Sequence, residues 1–343
     1  MKTKVYLNNL FFVVFLLLLI SCKGKGTDNN SGEYNYYQTQ LPIFKTNAII
    51  KYYYHTELGK EIATRLDSFD LSLNPFNKKS IIYKVNNNID VELDDWFINC
   101  FNKAQEISSQ TDGMYDITSA PFINLWGFGF QKMDKVTPVL IDSMKSFVGY
   151  EKVRIEGRKI VKDDPRVQLN ASSIAKGYSC DVVADLLEEY GIENYMIEIG
   201  GEIRAKGKNP VGQYWTIGIT TPIDDTSGSI EETHETVSLN DRSLATSGNY
   251  RNFYVRDGRK YAHTINPKTG YPIETNLLSA SVFYPDCMTA DGYATAFMAV
   301  GLEKAMEIAN RIPQMDYLFI YADKDGNLNE VRSAGFNEFQ TAE

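Results

Sequence analysis

Asp291 and Thr295 stand four residues apart in CMTADGYATAFMAV (287–300), a run that is otherwise apolar. Helical residues at i and i+4 share a face, so this carboxylate and this hydroxyl can address one object. Such an oxygen pair suits a cation. The letters alone leave another reading open, in which Asp291 caps a helix and Thr295 bonds back to its own backbone.

Other stretches carry groups that handle anions. In Ile174-Ala175-Lys176-Gly177 a helix start offers unpaired backbone N–H groups and the positive end of its dipole to a phosphate, and Lys176 adds a full charge. A surface lysine on an ordinary helix start fits the same letters. Gly200-Gly201, directly after an apolar strand, permits close backbone approach or a simple turn. Ala245-Thr246-Ser247-Gly248 reads as a glycine-permitted turn presenting two hydroxyls. His263 is the candidate base, because its ordinary pKa lies nearest neutrality, and holding the Asn266-Pro267 turn is the alternative. His55 and His234 lie outside any motif.

These groups need elements to position them. The pattern predicts a strand over 46–54, then a helix with Leu58, Ile62, Leu66 and Phe69 on one stripe, broken at Asn74-Pro75-Phe76-Asn77. A second helix spans 94–109, with Trp96, Ile98, Phe101, Ala104 and Ile107 inward. Residues 112–130 fit neither period and read as irregular structure around a site. There follow a short helix at 142–148, a hairpin turning at Glu156-Gly157, a helix at 174–190 ended by Gly191 and a strand at 195–199. Further strands fall at 215–221, 237–239, 253–255, 279–283 and 317–321, and helices at 290–300 and 302–311. The class is α+β, with mixed, largely antiparallel sheets and packed helices in one catalytic domain over 42–343.

Four stretches in order, YDITSAPFINLWGFG (115–129), SIAKGYSCD (173–181) with IEIGGEIRAKG (197–207), LATSGNYRNFY (244–254) with YAHTINPKTGYPI (261–273), and TADGYAT (289–295), resemble the FAD:protein FMN transferase, or ApbE, family from about residue 44 to residue 320. The resemblance implies that the Ala175 carbonyl, the Asp291 carboxylate and the Thr295 hydroxyl hold Mg²⁺ against the pyrophosphate of FAD, the substrate. It implies flavin or nucleotide contacts from Phe44, Asn74, Pro75, Phe76, Asp116, Lys176, Thr246, Ser247 and Ile265, with Lys176 and His263 in catalytic roles. The implied reaction is attack by a Thr or Ser hydroxyl of a target protein on the FMN-side phosphorus, with release of AMP. Implied targets are a flavoprotein subunit of a membrane redox complex or an FMN-binding-domain protein. Hydrolysis of the same bond by water and non-catalytic flavin carriage are the competing functions. Trp126 is open between an aromatic wall and the core. The chain departs from the family at Lys45, where a Gly precedes Thr46, at Ser172-Ser173, and at Asn249, where Asp is common.

An apolar share of 43% supports a real core, and a net charge of −9 without a long basic run argues against nucleic-acid partners. Lys2 and Lys4 precede an apolar stretch of roughly eleven residues, too short to span a membrane, so residues 1–21 read as an export signal. Leu19-Ile20-Ser21-Cys22 resembles a bacterial lipobox, which implies cleavage before Cys22, lipidation there and a periplasm-facing protein anchored to a membrane. A plain signal peptide with an incidental Cys is the alternative. Residues 22–41 read as a polar tether. Cys100, Cys180 and Cys287 are spaced for neither a disulfide framework nor zinc and read as buried thiols.

Overall fold

β1 (Asn35–Ile43) folds back on β2 (Thr46–Tyr54), with Ile43 opposite Thr46 across a two-residue turn. The computed structural model describes residues 34–129, 136–223, 232–249, 253–256 and 259–340, so residues 1–21, read as an export signal, and Cys22 lie outside the described residues. The tether assigned to 22–41 is corrected at its end, because residues 35–41 belong to β1. Tyr37, Leu41 and Ile43 alternate among polar letters and pack on the apolar cluster beneath, while β2 pairs their backbone.

α1 (Gly59–Leu73) buries Ile62, Leu66 and Phe69, and α2 (Ile81–Asn86) is an unforeseen short helix capped by Ser80. α3 (Asp95–Gln110) starts at an Asp94 cap that accepts the Phe97 N–H. Its inner stripe buries Phe101, Ala104 and Ile107 as expected and adds Phe97 and Cys100, whereas Trp96 and Ile98 are only half-buried. α4 (Ala120–Leu125) interrupts the stretch expected to be irregular, and α5 (Pro138–Lys145) begins before the expected 142 because Thr137 caps it and Pro138 suits a first helical position.

β3 (Val153–Glu156) and β4 (Lys159–Lys162) form the expected hairpin, and α6 (Ala175–Glu189) the expected helix. β5 (Tyr195–Ile199) reaches β6 (Glu202–Lys206) through Gly200 and Gly201 at φ +65 and +100. β7 (Trp215–Thr220) pairs with β8 (Thr233–Leu239), and β9 (Arg242–Gly248) follows. Thr246 and Ser247 therefore project from a strand, which corrects the turn assigned to them. β10 (Phe253–Arg256), β11 (Arg259–Ala262), β12 (Leu277–Tyr284), α7 (Cys287–Val300), α8 (Leu302–Ala309), β13 (Asp316–Ala322) and β14 (Leu328–Arg332) complete the described α-helices and strands.

The main sheet runs β1-β2-β5-β6-β9-β12-β13-β14, with every pair antiparallel. Its strands send successive residues to opposite faces. Ala245, Ala280 and Val282 meet Ala290, Ala294 and Phe297 of α7, while Leu244, Phe283 and Leu318 meet Trp215, Ile217 and Val237 of the β7–β8 pair. α7 is thus buried nearly all round, each large apolar side chain contributing about 1.5–3 kcal/mol. The fold is α+β, and the described residues from Tyr34 onward belong to one compact unit. No helix among the described residues is long and apolar enough to cross a membrane.

Candidate functional site

α7 begins at Asp286, whose carboxylate caps it by accepting the Thr289 N–H at 2.8 Å, so the capping role left open for Asp291 belongs to another residue. Asp181 of α6 also receives the Cys287 and Met288 N–H groups at 2.8 and 2.7 Å. Asp291 lies one turn inside α7, only 3% exposed. Its Oδ2 accepts the backbone N–H of Gly177 at 2.9 Å, which ties α7 to the first turn of α6. One turn further, Thr295 Oγ1 is 3.2 Å from Ser247 Oγ of β9 and 3.5 Å from the Ser173 carbonyl oxygen.

Gly177 makes this crossing possible, since a Cβ there would sit 2.2 Å from the Cys287 carbonyl oxygen. Gly200 serves in the same way at the end of β5: at φ +65, a Cβ would come 2.9 Å from Thr46 Cγ2 and 3.3 Å from Lys176 Cδ. The ammonium of Lys176 forms an ion pair with Glu202 Oε1, and the other carboxylate oxygen of Glu202 is buried without a hydrogen-bond partner. Burial pushes the Asp291 and Glu202 carboxyls above the ordinary range, against the pull of Lys176. Burial also disfavours the Lys176 charge, but the two carboxylates outweigh it and hold the ammonium protonated. Two acids therefore share one fixed cation.

Asp291, Thr295, Lys176 and Glu202 line a cavity of about 900 Å³. The structure also brings Phe76, Asp116, Thr246, Ser247, His263 and Ile265 to its wall. Asp116 accepts the Thr118 N–H at 2.7 Å, and burial raises its pKa to about 6. His263 sits 6.4 Å from the Phe128 ring, centroid to centroid.

Ala175 opens α6 beside Lys176 but is not itself a wall residue, and neither are Phe44, Asn74 and Pro75. Phe44 turns inward, edge-on to Phe69 at 6.1 Å, and the Asn74 side chain fixes its own loop by bonding Asp70 and the Phe76 N–H. Trp126 belongs to the core, where its indole N–H donates to the Gly270 carbonyl at 2.8 Å, while Phe128 reaches the cavity. Glu202 escaped the sequence reading although it directly follows the glycine pair. Strand periodicity could have turned it inward once β6 was recognised.

A model of the ApbE family matches residues 44–319. The chain belongs to the ApbE family. The FAD:protein FMN transferase of Vibrio cholerae serotype O1 is 37% identical to it over 289 residues, 82% of this chain and 84% of that one. The FAD:protein FMN transferase of Haemophilus influenzae is 37% identical over 272 residues, 77% and 76% of the two chains. Among solved structures, the flavin transferase ApbE from Vibrio cholerae superposes with a TM-score of 0.79 at 34% identity, covering 90% of this chain and all (100%) of that one. The α+β fold is thus the fold of ApbE structures.

Among the described residues no group of three or more His, Cys, Asp or Glu is arranged as a metal cage. The donor set at Asp291 and Thr295 nevertheless fits a hard cation. It is all oxygen, holds one carboxylate, and lies beside a second buried acid, Glu202, with one ammonium between them. A cation bound there would draw its remaining ligands from phosphate and water, as Mg²⁺ does.

Proposed function

We propose that the protein is an FAD:protein FMN transferase that moves FMN from FAD to a Thr or Ser hydroxyl of an exported target, releases AMP and requires Mg²⁺. The observation that carries this reading is the convergence of Asp291, Thr295, Lys176 and the Gly200-Gly201 turn on one cavity, together with the family. Its volume of about 900 Å³ suits a ligand of dinucleotide size.

Asp291, Thr295 and the Ala175 carbonyl would hold the metal, whose charge would offset that of the pyrophosphate. Lys176 meets a phosphate oxygen, and Gly200 and Gly201, without side chains, let the nucleotide approach the backbone. Phe76 and Ile265 offer apolar surface to the flavin, and Thr246 and Ser247 offer hydroxyls to its polar chain. His263 accepts the proton of the attacking hydroxyl as the new O–P bond forms and the bond from phosphorus to the AMP oxygen breaks. The target is a redox-complex subunit or an FMN-binding-domain protein, docking as an extended segment. Lipidation at Cys22 would keep the enzyme beside such targets, exported and facing the periplasm.

The test mixes the protein with FAD, MgCl₂ and a Thr-bearing acceptor domain, then follows acceptor mass and AMP. A covalent FMN adduct formed with equimolar AMP is expected. AMP without an adduct would make the protein a hydrolase, and neither product would leave it a carrier.

A further inference from the structure

β7 (Trp215–Thr220, WTIGIT) has one paired edge and one free edge. β8 pairs with it over its whole length, and among the described residues no strand pairs its other side. Natural edge strands are blunted by charge, proline or a bulge. β7 carries neither charge nor proline, and the bulge opposite Ile219 and Thr220 places its extra residue, His234, in β8. The direction of each backbone group follows from one hydrogen bond: the Thr221 N–H donates to the Glu232 carbonyl at 2.8 Å, so residue 221 faces β8. Along an antiparallel strand the N–H and C=O groups alternate sides. Ile219, Ile217 and Trp215 therefore face β8 with these groups, whereas Thr216, Gly218 and Thr220 turn theirs to the free edge.

That edge belongs to the cavity. All five residues from Thr216 to Thr220 line it, although the side chains of Ile217 and Ile219 are buried in the apolar cluster on the main sheet. A strand that lines a cavity through consecutive residues, instead of alternate ones, presents its backbone there and not a side-chain face. Gly218, midway along, has no side chain to screen it. Lys176 and Asp291 line the same cavity, and so do Lys51 and Glu198 of β2 and β5. An unpaired backbone edge therefore opens onto the same space as the cluster of Lys176 and Asp291.

We propose that the free edge of β7 is where the target protein docks: an extended segment of it adds as a strand, and a Thr or Ser hydroxyl on that segment enters the cavity beside Lys176 and Asp291. This rests on the reading of the protein as an FMN transferase, whose reaction brings a second protein's hydroxyl to that cavity. The outward N–H and C=O groups of residues 216, 218 and 220 span about 13 Å at roughly 3.3 Å per residue, enough for a guest of about five residues. Backbone pairing holds the guest, and strand register fixes which of its residues meets the phosphates.

The test compares the full chain with its Gly218→Pro variant in the presence of FAD, MgCl₂ and a Thr-bearing acceptor domain. Proline removes an outward N–H and projects its ring toward the incoming strand, and it leaves the bonds to β8 in place. The expected result is an acceptor KM raised about tenfold or more, with the FAD dissociation constant from calorimetry within about twofold of the parent's. A second measurement needs no variant and decides the matter if proline disrupts the fold. Hydrogen exchange of the FAD-loaded parent is followed with and without an acceptor domain whose Thr is replaced by Ala, and residues 215–221 should exchange more slowly with it. Unchanged KM in a variant that binds FAD, or unchanged exchange over 215–221, overturns the proposal while leaving the transferase standing. So does a parent dimer, seen in sedimentation velocity, that Gly218→Pro dissociates, because the edge then belongs to a second copy. A parent that forms no adduct overturns the transferase reading and the proposal with it.

Discussion

Gly177→Ala separates local from tertiary effects because they have opposite signs. In an isolated helix, alanine in place of glycine stabilises by about 1 kcal/mol. In this fold the new methyl would lie 2.2 Å from the Cys287 carbonyl oxygen and 2.6 Å from Asp291 Cβ. That is about 1.2 Å short of ordinary contact, and the obstacle is backbone that cannot rotate aside. Overpacking of this kind costs about 1–3 kcal/mol, and stretching the hydrogen bond from Gly177 to the Asp291 carboxylate adds to it. The net expectation is a loss of about 1–2 kcal/mol in urea unfolding, despite the better helix former. Parting α6 from α7 by about 1 Å also moves Asp291 relative to Lys176, so adduct formation should slow about a hundredfold. A Gly177→Ala protein more stable than its parent, with turnover intact, would refute the described crossing and the site built on it.

Asp291→Ala should abolish adduct formation while the far-ultraviolet circular dichroism stays that of the parent, and chelation of the parent should have the same effect until MgCl₂ is restored. Turnover that persisted in either case would remove the metal from the mechanism. Asp116, with its pKa raised by burial to about 6, binds its proton more tightly folded than unfolded. The stability from that proton is fully present below about pH 4 and lost as pH rises through 6, up to about 3 kcal/mol. Asp116→Asn should therefore match the parent in urea unfolding at pH 4 and exceed it at pH 7.5, and a constant difference between the two would contradict the burial argument. Asp286→Ala should cost about 0.5–2 kcal/mol in unfolding through loss of the α7 cap, and no loss would mean that Asp181 suffices there.

Local spacing was enough to place much of this protein. The stripe of Ile62, Leu66 and Phe69, the hairpin around Gly157 and the helix ended by Gly191 were legible because apolar period and turn chemistry act over a few residues. The i, i+4 relation of Asp291 and Thr295 was legible for the same reason, and the order of the motifs carried the family. The strand character of 35–41 and of Thr246-Ser247 was not, since each depends on a neighbour that supplies hydrogen bonds from elsewhere in the chain. Only the packed fold decided that Gly177 lets Asp291 reach α6, that Glu202 shares Lys176, that Phe44 turns inward and that Lys45 rests on Phe76. Sequence sets which groups are available and which face of their own element they take. Their meeting depends on where whole helices and strands cross, and that is set by long-range burial.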